Sequence, residues 1–286
     1  MKKCTNLLWG LLLALFATKA SAANESSSQP LSITVGEHTV RVYYPQNYDP
    51  DKKYKTVVGL HGCCIGDPER YFLKVFALDK FVDEMNYILL LPLSNSPTSA
   101  WNMEHRPSND ILGNVIRGTT TVTPEETGGF SGDSIDLEQV YVTGYSAGAR
   151  AAYLFANKPS IRIKGIASLA GDGAGRKIIT GSPTRRAKPD HPMNLVHIHS
   201  VKDFVIQLDK GIQAYEYFTK KLCQSIQPEF KSKQSPKVMI RRGSSCDDNI
   251  TTSLYRITDP IFFSSHHQNI NEFGIMRDIM TDLLKN

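Results

Sequence analysis

The stretch VYVTGYSAGARAAYLFA, Val140 to Ala156, decides how this chain folds. Val140-Tyr141-Val142-Thr143 reads as a short, largely apolar strand. It runs straight into Gly144-Tyr145-Ser146-Ala147-Gly148, and a small-residue segment with helical character follows. A serine in a tight strand-to-helix turn must adopt a strained backbone conformation. Side chains two positions before and two after it would clash, which accounts for glycine at both. The strain lifts the hydroxyl above the C-terminal edge of the sheet, and the helix N-terminus beneath offers positive dipole to a developing anion. Ser146 is therefore the expected nucleophile.

A serine hydroxyl attacks poorly until a base takes its proton, and the base needs an acid to orient it. In this architecture the chain order is serine, acid, histidine. LVHIHSVKDFVI, Leu195 to Ile206, is a strand whose following loop carries Asp203, the expected acid; Asp172 and Asp209 are alternatives. SLYRITDPIFFSSHHQN, Ser253 to Asn269, is a last strand followed by a loop with His266 and His267. His266 is the expected base and His267 the alternative. The oxyanion needs two backbone N–H donors. Ala147 supplies one, and the loop after VVGL, Val57–Leu60, supplies the other through Cys63, with Cys64 second and His61 bracing the loop. Competing chemistry is weaker. His197 and His199 share one face of a strand, but no third ligand stands at metal-binding spacing. A cysteine nucleophile at Cys63 or Cys64 would lack the turn, and no glycine-rich dinucleotide or phosphate loop is present. No cofactor and no metal is expected.

Around this centre, strands are expected at Ser32–Val35, Thr39–Tyr44, Lys55–Leu60, Tyr87–Leu91, Gln139–Thr143, Lys164–Leu169, Asn194–His199 and Ser253–Ile257. Helical patterns fall at Glu69–Met85, Ala147–Ala156, Gly211–Gln227 and Gly274–Leu284, with a shorter candidate at Asp110–Arg117. Short apolar strands alternating with helices imply an α/β fold: a mostly parallel sheet covered on both faces, with the first two strands as an antiparallel edge. Residues 106–136 and 171–193 read as long loops near function.

The chain has 286 residues, 41% hydrophobic and 21% charged, a composition that supports one large globular domain. Lys2 and Lys3 precede an apolar run from Leu7 to Ala17, and Ala20-Ser21-Ala22 reads as a small-residue cleavage site. That pattern predicts a signal peptide over 1–22, a disordered leader over 23–30 and a single domain over 31–286, in a secreted or periplasmic protein. The apolar run is shorter than the roughly 20 residues a membrane span needs, so no stable insertion is expected. Removing 1–22 takes away three lysines and no acids, which leaves 30 basic against 28 acidic residues. So slight an excess points to neither nucleic acid nor an anionic membrane surface as partner. Four cysteines remain, Cys63, Cys64, Cys223 and Cys246. An even count in an exported chain implies disulfides, and Cys223–Cys246 is the expected pair, worth roughly 3 kcal/mol.

RVYYPQNYDPDKKYKTVVGLHGCCIGDP (41–68), AWN (100–102), LEQVYVTGYSAGARAA (137–152) and SLYRITDP…SSHHQN (253–269) resemble exported esterases of the polyhydroxybutyrate depolymerase and feruloyl esterase type, within the α/β-hydrolase superfamily. The resemblance runs from Arg41 to the C-terminus. It implies a serine esterase with Ser146, Asp203 and His266 as triad and Trp101 near the substrate; Tyr145 is also expected there, and the substrate is a small-molecule or polymer ester. The sequence departs from that family in two places. Residues 107–136 carry little of its long helix, and Ser264-Ser265 and Gln268-Asn269 flank the histidines in place of glycines and an aromatic-proline pair. A peptidase or amidase would use the same triad, and a non-catalytic binding protein could keep the fold.

Overall fold

The computed structural model describes residues 30–36, 38–63, 67–93, 101, 111–157, 161–173, 189, 191–203, 205–246, 250–258 and 274–285. Every strand expected from the sequence is present. β1 (Leu31–Val35) and β2 (His38–Tyr43) pair antiparallel, and β2 lies antiparallel to β4 (Tyr87–Leu93). β3 (Tyr54–Leu60), β5 (Ile135–Tyr145), β6 (Ile163–Leu169), β7 (Asn194–Ser200) and β11 (Thr252–Ile257) continue the sheet in parallel. β10 (Val238–Cys246), β8 (Cys223–Ile226) and the short β9 (Phe230–Lys231) close the far edge antiparallel. The strand order is β1-β2-β4-β3-β5-β6-β7-β11-β10-β8. Because the central strands are parallel, residues 61, 146, 201 and 258 leave the sheet at one common edge.

Helices cover both faces, which is why the central strands carry apolar residues on alternate and intervening positions alike. One face packs α3 (Ile111–Thr120), α5 (Ala147–Asn157) and α6 (Leu208–Leu222) through Leu112, Ile116, Ala152, Tyr153, Tyr215 and Phe218. The other packs α1 (Pro68–Phe76), α2 (Val82–Met85) and α7 (Met276–Leu283) through Phe72, Phe76, Val82, Ile279 and Leu283. α4 (Pro124–Thr127) is a single turn closed by a Thr123/Glu126 capping box.

Three expectations need correction. The helix expected over Glu69–Met85 is broken. α1 starts at Pro68, capped by the Asp67 side chain, and ends at Ala77, which takes a left-handed conformation with φ 46. Leu78, buried in the core, opens the short 3-10 turn that follows the break. The helix expected over Gly211–Gln227 begins earlier, at Leu208, and stops at Leu222, because Cys223–Ile226 pairs with β10 and Cys223 is disulfide-bonded to Cys246. Long-range pairing there overrides local helical pattern. Residues 106–136, expected as a loop with one short helix at Asp110–Arg117, hold that helix as α3 and add α4 and the start of β5.

α7 is tied to the far edge by a buried carboxylate. Asp282 accepts from Ser253 Oγ and Tyr255 Oη, each at 2.7 Å, and from the Arg242 guanidinium at 3.1 Å. These bonds fix the helix that follows the segment carrying the candidate base. Asp282→Ala leaves two hydroxyls and a guanidinium without their acceptor. It should lower stability by about 3 kcal/mol, read as a lower midpoint in urea unfolding; an unchanged midpoint would show the network to be dispensable.

Candidate active site

Ser146 is the only residue between β5 and α5, and it sits at φ 53. A side chain larger than glycine holds that conformation only where its surroundings enforce it, at a cost of about 1–3 kcal/mol. Here the enforcement is visible. The Ser146 N–H donates to the Leu169 carbonyl of β6 at 3.0 Å, and its carbonyl accepts from Arg150 N at 3.1 Å. A Cβ on Gly144 would stand 2.2 Å from the Gly148 carbonyl oxygen, and one on Gly148 would stand 1.9 Å from that of Leu60. The two glycines therefore let β5, the first turn of α5 and the end of β3 close on one another. The hydroxyl is delivered to the C-terminal sheet edge, over the N-terminus of α5.

That packing also sets the loop after β3 against the serine. A Cβ on Gly62 would lie 3.4 Å from Ser146 Cβ and 2.8 Å from the Tyr145 ring. The loop is braced from below. His61 Nδ1 faces the Gly62 carbonyl at 2.7 Å, and since a carbonyl only accepts, that nitrogen carries the proton. Burial holds the His61 pKa below its ordinary value. The Trp101 indole N–H donates to the His61 carbonyl at 2.7 Å, with the two rings 5.0 Å apart. Trp101 and Tyr145, expected at the substrate, are 2% and 7% exposed. Both touch the loop after β3: Trp101 holds it and Tyr145 packs beneath it against Tyr71. Cys63 is half-buried at the loop's described end, and Ala147 opens α5. The two expected oxyanion donors thus belong to segments in direct contact. Cys64 lies outside the described residues.

Asp203 follows β7 in a turn, two strand spacings from Ser146, or about 10 Å along the sheet edge. Its Oδ1 accepts from Val205 N and Ile206 N, both at 2.9 Å. Those bonds fix the carboxylate and leave Oδ2 with a more distant neighbour, His199 Nε2 at 3.5 Å. The alternatives are placed differently. Asp172 is gripped through both oxygens by the Arg150 guanidinium of α5. Asp209 is 53% exposed on the first turn of α6, beside Lys210. A carboxylate already held bidentately by Arg is a poor acceptor for an imidazolium. His266 and His267 lie outside the described residues; β11, the strand before them in sequence, is parallel to β7 and ends at the same sheet edge. Sequence reading missed Arg150 and the bracing role of Trp101. Neither has a local signal, because each acts on a residue 22 or more positions away.

No family model matches the sequence, and none of the curated proteins is similar to it. Solved structures are. A thermostable esterase is 14% identical with a TM-score of 0.53, covering 90% of this chain and 63% of its own. The chain thus spans less than two thirds of that protein's length. Thermogutta terrifontis esterase 2, phosphorylated by paraoxon, is 10% identical with a TM-score of 0.50, covering 68% of this chain and 79% of its own. Likenesses so remote in sequence speak to fold alone. Together with the strand order and the serine turn between β5 and α5, they establish that this chain has the α/β-hydrolase fold.

Proposed function

We propose that this chain is an exported serine esterase that hydrolyses carboxylic esters through an acyl-enzyme. The observation that carries the reading is Ser146, held at φ 53 between strand and helix with the loop after β3 against it. Four other non-glycine residues among the described ones take positive φ, Ser245 included, but of these Ser146 alone stands between a strand and a helix, flanked by two glycines that admit no side chain, the placement a nucleophilic serine uses. His266, or His267 in its place, deprotonates Ser146, which attacks the ester carbonyl. The Ala147 and Cys63 N–H groups hold the oxyanion, and Trp101 and Tyr145 serve the substrate by keeping that loop in place. Alcohol leaves, water releases the acid, and Asp203 orients the imidazole and stabilises its charged form. Short-chain, aromatic and hydroxyalkanoate esters are the substrate classes. Two features support export: the signal-like segment 1–22 and the Cys223–Cys246 disulfide, a bond that persists in oxidising compartments. Among the described residues no helix is long and apolar enough to cross a membrane.

The test is hydrolysis of p-nitrophenyl acetate, butyrate and octanoate and of methyl ferulate by the mature protein, with fluorophosphonate labelling in parallel. Turnover of at least one ester and a label on the Ser146 peptide are expected. The substrate ranking then sizes the acyl pocket. A protein that neither turns over nor labels is not an esterase.

A further inference from the structure

α5, which begins at the nucleophile, is connected to the loop of Asp203 by an unbroken row of buried hydrogen bonds. Tyr153 Oη of α5 lies 2.8 Å from His197 Nδ1, His197 Nε2 lies 3.1 Å from His199 Nδ1, and His199 Nε2 lies 2.7 Å from the Ile206 carbonyl. All three side chains are fully buried. The row has one direction. The Ile206 carbonyl only accepts, so His199 Nε2 carries a proton. Neutral His199 then accepts at Nδ1, so His197 donates from Nε2. Neutral His197 in turn accepts at Nδ1, so Tyr153 donates. Gly211, in the first turn of α6, leaves the room: a Cβ there would stand 2.2 Å from His199 Nδ1 and 2.7 Å from His197 Nε2.

The row ends where the candidate acid is built. Ile206 gives its N–H to Asp203 Oδ1 and receives His199 on its carbonyl, so one residue ties the carboxylate to the buried pair. We propose that His199, held by His197 and Tyr153, is the positioning residue that fixes the Asp203 loop relative to the nucleophile helix. This rests on the esterase reading, with Asp203 as the triad acid.

The charge environment suits that role. Asp203, Asp172 and Asp209 face His199 with negative charge, and His197 abuts it. Burial outweighs the carboxylates and keeps the His199 pKa below its ordinary value, and the same cause holds that of His197 lower still. A proton added at His199 Nδ1 would set two N–H groups against each other across 3.1 Å and break the row. The clamp is therefore intact at neutral pH and is lost when acid protonates the pair.

The test compares wild type with Tyr153→Phe, His199→Gln, His199→Phe and Gly211→Ala on the preferred p-nitrophenyl ester. In His199→Phe and Gly211→Ala, kcat should fall about 10²-fold with KM within about threefold, as expected when a reacting group shifts by about an ångström. His199→Gln keeps an N–H within reach of Ile206 and should recover at least about tenfold of that loss. Tyr153→Phe removes the donor that favours neutral His197, so in an NMR titration the buried pair should protonate at higher pH than in wild type. A Tyr153 that merely filled space would leave that titration where it is. Unchanged kcat in Gly211→Ala, or an unmoved titration of the pair in Tyr153→Phe, overturns the proposal even if His199→Phe fails to fold. Long-range proton–nitrogen NMR of the wild type is a check independent of activity: both rings should be neutral Nε2–H tautomers at pH 7. Any other state overturns the row. A wild type with the expected tautomers but no turnover or label fails as an esterase while keeping the row.

Discussion

Ser146→Ala should lower kcat at least about 10⁴-fold on any ester the wild type hydrolyses, and fluorophosphonate labelling should vanish with it. Alanine has no hydroxyl to form the acyl bond. What activity remains comes from the oxyanion donors and from binding alone. The fold should survive, because alanine bears the same backbone strain at φ 53 and the N–H bond to Leu169 is untouched. Thermal unfolding of the variant is the control. A variant retaining more than about one part in a hundred of wild-type kcat would place the nucleophile elsewhere, since a true nucleophile knockout leaves far less.

Gly148→Ala should cost about as much as removing an oxyanion donor, roughly 10²–10³-fold in kcat, although it changes no reacting group. Its Cβ would enter at 1.9 Å from the Leu60 carbonyl and 2.7 Å from that of His61, both backbone atoms that no side-chain rotation can move aside. Either α5 lifts off the sheet or the loop after β3 retreats, and both separate the Ala147 N–H from the Cys63 N–H. Melting temperature and kcat measured together decide the matter. A drop in both is expected, whereas wild-type kcat would mean that the two segments need not be in contact.

The same two glycines show why so much was legible beforehand. A strand, a serine between glycines and a helix form a pattern readable within five residues, and the Gly144 requirement is itself local, set by the Gly148 carbonyl; the Gly148 requirement comes from Leu60 and His61 at the end of β3. The strands were readable for a related reason: the central ones are buried on both faces, so each had to be nearly continuous apolar sequence. The disulfide partner of Cys223 was readable from simple proximity of Cys246, and the structure contains that bond. The helix ends were not readable. Cys223–Ile226 carries a helical pattern, yet the strand pairing opposite β10 and the bridge to Cys246 decide its conformation. The break at Ala77, where the backbone turns left-handed inside an apolar pattern of helical spacing, likewise left no mark in the sequence.

The sequence favoured Asp203 over Asp172 and Asp209 from its place after the strand, but it held no sign of what surrounds each carboxylate. The Arg150 grip on Asp172 arises from a neighbour 22 positions away, and Asp209 stands exposed on the first turn of α6. His197 and His199 were visible as a pair on one strand face, but Tyr153, Gly211 and Ile206, which turn the pair into a directed row, approach from α5, α6 and a loop. By itself, the sequence determined the strand–serine–helix turn, the α/β layering and the chain order of candidate residues, because most of the backbone sterics and apolar periodicity involved are local. Only the tertiary structure decided what surrounds each candidate carboxylate, what braces the loop after β3 and where the helices end. Those outcomes depend on which groups, distant in the chain, are buried against each other and must satisfy one another's hydrogen bonds.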